Sequence, residues 1–482
     1  MSSSKSLKVN VILNAIKQCC AIIFPLITFP YVSRILGKEG FGKYSFSSSI
    51  VSYFILLAAL GINTYAIREG AKIRDNKRKI TKFASQIFSI NIFSVIISYV
   101  FLLIVLIVSS KIRSYAPYIL LLSVTMILSA IGTDWINSIY EDFAYITIRY
   151  IIMQFLALIL MFTFVKKSID VPAYCIISVI ASSGGNILNV FHVRKYVKYH
   201  FTFHLHLKRH FKPLLILFAN SLAVSIYVNS DITMLGFYYD DGIVGVYSFA
   251  SKIYNILKQL VYAIVTVSIP RIAYVLKNKP EQYKSYMNKI FCALIVALFP
   301  IIAGTIGMSE TIIEIAGGKQ YVSGANALTI LSIALFFAII ASLFTNCVLI
   351  VNKQEDKCLK STTISAAGNI GLNFILLPLI GIEGAALTTV IAEMINFFLQ
   401  IKYSAPFFSY KELNLKPVAS CILGSILIYC ICLMCNIYFA NIYIRMIMAI
   451  IISAFAYAVI LITMKNPLGL DAVNWFKTKL RG

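Results

Sequence analysis

Apolar runs of about twenty residues follow one another along the whole chain, and nothing else in the sequence restricts its fold as much. A helix that crosses the hydrocarbon layer needs about 20 mostly apolar residues, because each residue rises about 1.5 Å through about 30 Å. It also satisfies every backbone group within the segment, as lipid demands. Fourteen such runs lie at approximately 11–32, 44–66, 84–108, 116–133, 145–165, 171–191, 214–235, 245–268, 290–307, 325–351, 361–379, 384–401, 417–436 and 444–464. The expectation is an all-α polytopic membrane protein of about 14 transmembrane helices. Composition agrees: 59% of the 482 residues are hydrophobic and 13% charged, where soluble chains have roughly 45–50% and about 25%. No polar stretch is long enough to be a soluble domain. Nine of the ten cysteines lie inside apolar runs and read as small hydrophobes rather than a disulfide framework. Cys432 and Cys435 form a C-x-x-C, but within an apolar helix pattern and with no histidine nearby. Lys5 and Lys8 precede the first run without a convincing cleavage site, so that run reads as a retained span.

Charge orients the runs. The 43 Lys and Arg against 19 Asp and Glu give +24, which in a soluble chain would suggest nucleic acid. With the N-terminus cytoplasmic, the inner segments hold 31 bases against 10 acids and the outer loops 8 against 7. The spans keep Lys17, Lys252, Lys258 and Arg445 with Asp231 and Glu393. That separation places both termini in the cytoplasm, since positive loops resist translocation and meet anionic headgroups; no nucleic acid partner is expected. The longest inner loop, about 193–213, carries Arg194, Lys195, Lys198, Lys208, Arg209 and Lys212. His200, His204, His206 and His210 lie among these cations, which favours a solvated or headgroup-facing loop over a metal site.

The chain also repeats itself. Gly42-Lys43-Tyr44-Ser45-Phe46 opens the second run and Gly245-Val246-Tyr247-Ser248-Phe249 the eighth, 203 residues later, and the same offset maps Arg68 onto Arg271. Leu36-Gly37 corresponds to Leu235-Gly236 with a longer intervening loop. The expected domains are an N-terminal lobe over 1–192 with six spans, a basic linker over 193–213, a second six-span lobe over 214–402, and two further spans with a tail over 403–482. Six is even, so the repeat is parallel, an arrangement in which two halves rock around a shared cavity. That is transporter architecture.

Polar side chains are expensive in lipid unless they face protein or a wet cavity. Ser248, Lys252, Asn255, Gln259, Tyr262 and Thr266 step by three and four residues, one stripe of the eighth span. Lys252 reads as an anion contact in a cavity, against the plainer reading of an ion pair with Asp231; Lys258 falls on another face. Thr389, Glu393, Asn396 and Gln400 form a second stripe. Glu393 there is either a proton or cation carrier or a tether to a neighbouring helix, and Asp231 is the other candidate for ion coupling. Asn10, Asn14, Lys17 and Gln18 line the start of the first span, where Pro25 and Pro30 mark bends. Ser365, Asn369 and Asn373 beside Gly368 and Gly371 read as helix packing. Asp134-Trp135 and Glu141-Asp142 occupy the one inner loop without a positive excess, and Arg149 follows at the mouth of the fifth span.

Several short motifs carry a likeness. They are Pro30-Tyr31 with Arg34-Ile35-Leu36-Gly37 and Gly40-Phe41-Gly42; Asp134-Trp135 with Glu141 and Tyr145-Ile146-Thr147-Ile148-Arg149; Pro270-Arg271; Asn352-Lys353-Gln354; and Gly381-Ile382-Glu383-Gly384-Ala385-Ala386 leading to Ala392-Glu393. With them the sequence resembles the Wzx-type flippases, the polysaccharide-transport branch of the multidrug/oligosaccharidyl-lipid/polysaccharide (MOP) exporter superfamily. The resemblance implies two six-helix lobes plus two helices, and no enzymatic activity or cofactor. It implies an undecaprenyl-pyrophosphate oligosaccharide as cargo in a bacterial cytoplasmic membrane, with polymerase and chain-length components of the pathway as candidate partners. It also implies a cavity-facing base on the eighth span, where Lys252 stands. Relatives that carry peptidoglycan precursors have arginines low on the first two spans; this chain has Lys17 and a serine-rich second span instead. Lys252, Asn255, Gln259, Lys17, Gln18, Arg34, Arg68 and Arg271 are the candidate substrate contacts.

A pyrophosphate diester carries about two negative charges, so moving it outward gains about 4.6 kcal/mol per 100 mV if the whole potential is crossed. A multidrug antiporter of the same superfamily would want acids in its cavity, and the in-span excess is positive. A membrane glycan polymerase would need a sizeable outer loop, and the outer loops are short. No Walker A pattern is present.

Overall fold

The computed structural model describes residues 7–470 apart from 409, with the side chains of 7–12, 14, 15 and 220 outside the description. Asn10 and Asn14 are thus outside the described side chains, and both chain ends outside the described residues. Seventeen α-helices follow: α1 Leu7–Ala59, α2 Ile62–Ala71, α3 Lys77–Val108, α4 Ser110–Arg113, α5 Ala116–Gly132, α6 Trp135–Ile139, α7 Phe143–Phe164, α8 Val171–Val179, α9 Gly185–His192, α10 Leu207–Tyr238, α11 Asp241–Asn278, α12 Tyr283–Gly307, α13 Ser309–Gly317, α14 Ala325–Phe344, α15 Glu355–Ser404, α16 Lys416–Tyr438 and α17 Ile442–Thr463. No strand occurs among the described residues. Eleven helical stretches are long and apolar enough to cross a membrane, and α5 is a shorter apolar helix. The chain is an all-α, multi-pass membrane protein.

Two helices are far longer than one crossing. α1 has 53 residues and α15 has 50, about 75–80 Å each if straight. Both break where the sequence reading ends one run and starts the next. In α1 the break is at Gly37, with φ 68° and ψ 176°; in α15 it is at Ile380 and Gly381, the latter with φ 59°. Positive φ costs glycine little because it has no Cβ, so the two glycines turn the chain without a loop. Pro25 and Pro30 lie inside α1 without breaking it. The sixth and tenth runs each contain a π-helical turn, at Ile180–Gly184 and Thr345–Leu349.

The chain forms two compact units, residues 1–245 and 246–482. In the first, α1 packs against α3, α5, α7 and α10. α10, which the sequence reading assigns to the second lobe, belongs to this unit: the Thr233 hydroxyl donates to Ser49 Oγ at 3.0 Å, and Phe46 stacks edge-on against Phe237 with centroids 5.7 Å apart. Here the repeated glycines cross reciprocally. A Cβ on Gly42 would strike the Asp241 carbonyl, and a Cβ on Gly245 would strike that of Lys38; both pairs differ by the repeat's offset. In the second unit, α14 packs on α15, α12 on α14 and α16, and α16 on α17.

Lipid offers helices no hydrophobic gain on meeting, so close packing and interhelical hydrogen bonds hold the bundle. α3 supplies three in a row: Asn91 Nδ2, Ser94 Oγ and Ser98 Oγ donate to the carbonyls of Ala58, Leu57 and Phe54 at 2.9, 2.6 and 2.7 Å. Ala58 and Leu57 lie in the last turn of α1, whose carbonyls have no partner within the helix. An apolar cluster containing Tyr65, Ile80, Phe83, Trp135, Ile136 and Val193 packs α2, α3, α6 and the start of the linker together.

Candidate functional site

The first unit contains a cavity of about 550 Å³ whose wall includes Lys17, Asn63, Asn91, Asp134, Arg149 and Asn186. Its position depends on the segment between α5 and α7. α5 stops at Gly132, Thr133 takes φ 45°, the five-residue α6 follows, and Glu141 takes φ 57°. Left-handed backbone at a β-branched residue is strained; the Thr133 hydroxyl lies 3.1 Å from the Tyr199 hydroxyl, and Trp135 is buried in the apolar cluster. Asp134 is therefore fixed between two anchors. Arg149, on the second turn of α7, is 8% exposed, and its Nη2 donates to Asp134 Oδ1 at 2.7 Å. Its Nη1 is buried with no hydrogen-bond partner among the described residues, an unusual state for a charged donor. Gly185 makes room for it: a Cβ there would sit 3.0 Å from Arg149 Cδ and Cγ. Lys17 completes the cationic lining, its ammonium 5.7 Å from the centre of the Tyr150 ring. Two cations face one acid, and that acid is already committed.

Behind Arg149 lies a second polar knot. Its guanidinium stands 5.4 Å from the Tyr145 ring centre, and Tyr145 stacks on His192. His192 Nε2, Lys195 Nζ and the Tyr196 hydroxyl all donate to Asp142 Oδ2, at 2.9, 3.2 and 2.9 Å. Burial pushes the Asp142 carboxyl up, but the three donors outweigh it and hold its pKa well below the usual carboxylate range.

In the second unit, Lys252, Gln259 and Thr266 of the α11 stripe are exposed and Asn255 and Tyr262 half-buried, while Ser248 is buried. Lys252 makes no ion pair or hydrogen bond among the described residues. Asn255 turns its amide to the Ser251 carbonyl at 2.9 Å. Lys258 lies on another face, as expected, and is ion-paired: its ammonium is 2.7 Å from Glu393 Oε1, with the Tyr254 hydroxyl 3.4 Å from the same oxygen. Glu393 thus has the geometry of a tether between α11 and α15. Any proton or cation it carried would first have to open that pair. Asn373, Thr388 and Asn369 form a buried hydrogen-bonded chain within α15.

The remaining candidates lie apart from the cavity. Gln18 and Arg34 are exposed, and Asp231 is buried in α10. Arg68 pairs with its neighbour Glu69 at 3.1 Å, and Arg271 donates to the Tyr286 hydroxyl at 2.6 Å. No metal-ligating cluster occurs among the described residues; His210 is buried between the Tyr65 hydroxyl at 2.8 Å and Gln86 at 3.2 Å. Of the candidate substrate contacts, only Lys17 lines the cavity. Arg149, at the mouth of the fifth run, is not one of those candidates. The usable signal is an arginine at the mouth of an apolar run, 15 residues after an aspartate in a loop otherwise short of bases.

Comparison with known proteins gives consistent relatives. A family model described as "Polysaccharide biosynthesis protein" matches residues 7–276. A protein of Escherichia coli strain K12 named "Putative O-antigen transporter" is 26% identical over 412 residues, 84% of this chain and 98% of that protein. A Haloferax volcanii protein named "Probable low-salt glycan biosynthesis flippase Agl15" is 24% identical over 202 residues, 41% of this chain and 43% of its own length. Among solved structures, the lipid II flippase MurJ in an inward closed conformation superposes with a TM-score of 0.75 at 19% identity, covering 95% of this chain and 99% of that one. An inward-facing multidrug resistance MATE transporter of the MOP superfamily gives 0.59 at 17% identity, covering 82% and 97%. The fold is the one these two structures share.

Proposed function

We propose, from the premise that this chain belongs to the polysaccharide biosynthesis protein family, that it is a flippase for a lipid-linked oligosaccharide. It moves an undecaprenyl-pyrophosphate-linked repeat unit from the cytoplasmic to the outer leaflet of the bacterial cytoplasmic membrane, with both termini on the cytoplasmic side. The observation that carries this reading is Lys252: an exposed cation on a membrane-crossing helix, in a polar stripe, with no counter-charge among the described residues. Facing lipid it would be costly; facing a wet passage it is available to an anion. The relatives' names supply the class of cargo, glycan-bearing lipid.

Alternating access opens that passage to one face of the membrane and then to the other. Lys252 meets the pyrophosphate, offsetting part of the cost of stripping its water, while the polyprenyl tail stays in the bilayer. The cavity of Lys17 and Arg149 is a second cationic station, and at about 550 Å³ it has the size of a small-ligand site, suited to a charged headgroup rather than a whole glycan. Outward movement of about two negative charges is favoured by an interior-negative potential, and the pathway's polymerase consumes the product at the outer face.

The same features argue against a multidrug antiporter, whose cationic substrates want free carboxylates: Asp134 and Glu393 are both ion-paired. The test is flipping of a fluorescent lipid-linked oligosaccharide in vesicles containing the full chain. Wild type is expected to expose the lipid to an impermeant quencher, and Lys252→Ala to lose most of that rate. Full flipping by Lys252→Ala would refute the role of that lysine; no flipping by wild type, with export of a cationic dye instead, would refute the function.

A further inference from the structure

A separate pocket of about 810 Å³ opens where α3 and α10 begin. Lys79, Lys82, Lys208 and Arg209 line it with Gln86 and Phe203, and its wall holds no acid. None of the four cations has an ion pair or a side-chain hydrogen bond among the described residues, and all four are exposed. Where an acid is near, cations of this unit pair with it: Lys72 bonds Glu69, Arg74 bonds Glu141 and Lys195 bonds Asp142. The charges also have the wrong sign for their helices. Helix N-termini favour acids, yet the first turns of α3 and α10 contain none and hold Lys79, Lys208 and Arg209. Four cations gathered against mutual repulsion and two helix dipoles lower the fold's stability unless an anion joins them.

The apolar surroundings say which anion. Phe203, at the pocket, is 79% exposed. From the pocket a stripe runs along α10 at four-residue steps, through Leu207, Phe211 and Leu215, all exposed. Aromatic and aliphatic side chains left bare next to lysines and arginines are the pattern of a membrane interface, with cations at headgroup level and the apolar stripe below it. A free phosphate would use the cations and ignore the stripe.

We infer that this pocket binds the phosphate headgroup of an anionic phospholipid, with one acyl chain along Leu207, Phe211 and Leu215, and so fastens the linker to the membrane surface. The linker is then held at headgroup level, and because Gln86 of α3 bonds the His204 carbonyl at 3.3 Å, the lipid clamps α3 and the linker together. The inference is independent of the transported cargo.

The test uses the full chain in nonionic detergent, titrated with phosphatidylglycerol, phosphatidylcholine or inorganic phosphate and followed by its thermal unfolding midpoint. Three variants are compared: wild type, Lys79→Gln/Lys82→Gln/Arg209→Gln, and a charge-matched control, Lys277→Gln/Lys279→Gln/Lys289→Gln, at exposed lysines outside the pocket. Phosphatidylglycerol is expected to raise the midpoint of wild type and control alike. In the pocket variant the concentration giving half the shift rises roughly a hundredfold, at about fivefold per cation near an anionic surface. Phosphatidylcholine and phosphate should give no shift. A photoreactive phosphatidylglycerol should label α10 near Phe211 in the control and not in the pocket variant. A phosphate shift equal to that of phosphatidylglycerol would reassign the pocket to a soluble anion, and equal loss in the control would reduce the effect to general surface attraction; either overturns the inference.

Discussion

Arg149 and Asp134 form one ion pair, yet removing the two partners should have unequal effects. The Asp134 side chain is 43% exposed and that of Arg149 9%. After Arg149→Met, the remaining carboxylate is still hydrated, so the stability cost is about 1 kcal/mol, the scale of a half-exposed pair. After Asp134→Asn, a buried guanidinium keeps Nη1 unpartnered and loses its one counter-charge among the described residues. Breaking a buried pair costs about 3–5 kcal/mol; water reaching the substituted side chain through the cavity brings this nearer about 2–3 kcal/mol. Thermal unfolding in detergent should therefore rank wild type above Arg149→Met and Arg149→Met above Asp134→Asn, with the double variant close to Arg149→Met. Flipping should rank differently. If the guanidinium meets the cargo's phosphate, Arg149→Met loses a charged hydrogen bond worth about 1.5–3 kcal/mol, roughly ten- to hundredfold in rate, while Asp134→Asn retains the cation. The assay is flipping per folded molecule in vesicles, normalised to protein recovered after reconstitution. Wild-type flipping by Arg149→Met, or an Asp134→Asn variant more stable than Arg149→Met, would refute the reasoning.

Other outcomes follow from neighbouring contacts. Gly185→Ala should displace Arg149 and lower flipping severalfold, whereas Gly184→Ala, whose Cβ would meet its nearest neighbour at an ordinary 3.4 Å, should not; equal effects in the vesicle assay would show that the glycines matter only to the helix. Glu393→Gln leaves Lys258 uncompensated and should lower the unfolding midpoint by the equivalent of about 2–3 kcal/mol, while Lys258→Met/Glu393→Leu should recover most of it; no recovery in the melting curves would mean the pair is not what holds α11 to α15. The Asp142 carboxyl, held below its unfolded pKa of about 3.9, contributes stability that is fully present above about pH 5 and is lost as pH falls toward its folded value. Asp142→Asn should thus be less stable than wild type at pH 7 and approach it in acid; a gap that stays constant down to pH 3 would contradict this.

Much of the fold was legible because lipid enforces one rule, a helix about twenty residues long, and apolar runs report it directly. Even the breaks in α1 and α15 fall between runs marked from hydropathy. What periodicity misses is partnership. The stripe of α11 is visible in the sequence, and Lys258 falls off it by spacing, but pairing Lys258 with Glu393, 135 positions away, requires the register of one helix against another. The same holds for Arg149, whose aspartate is close in sequence but is brought to it by the left-handed turn at Glu141 in the intervening segment. The serine-rich second span and Ser94 and Ser98 look alike in composition. A free carbonyl at the end of α1, that of Leu57, explains where Ser94 points, and Ser98 follows one turn on, against the Phe54 carbonyl.

The Lys258–Glu393 pair has an electrical consequence. A plus and a minus held 2.7 Å apart sum to zero at the scale of a bilayer, so carrying the couple along the membrane normal transfers no net charge. Voltage can neither push it nor be spent on it. Current recorded during turnover would then report the cargo and the unpaired cations alone, however far α11 and α15 travel together.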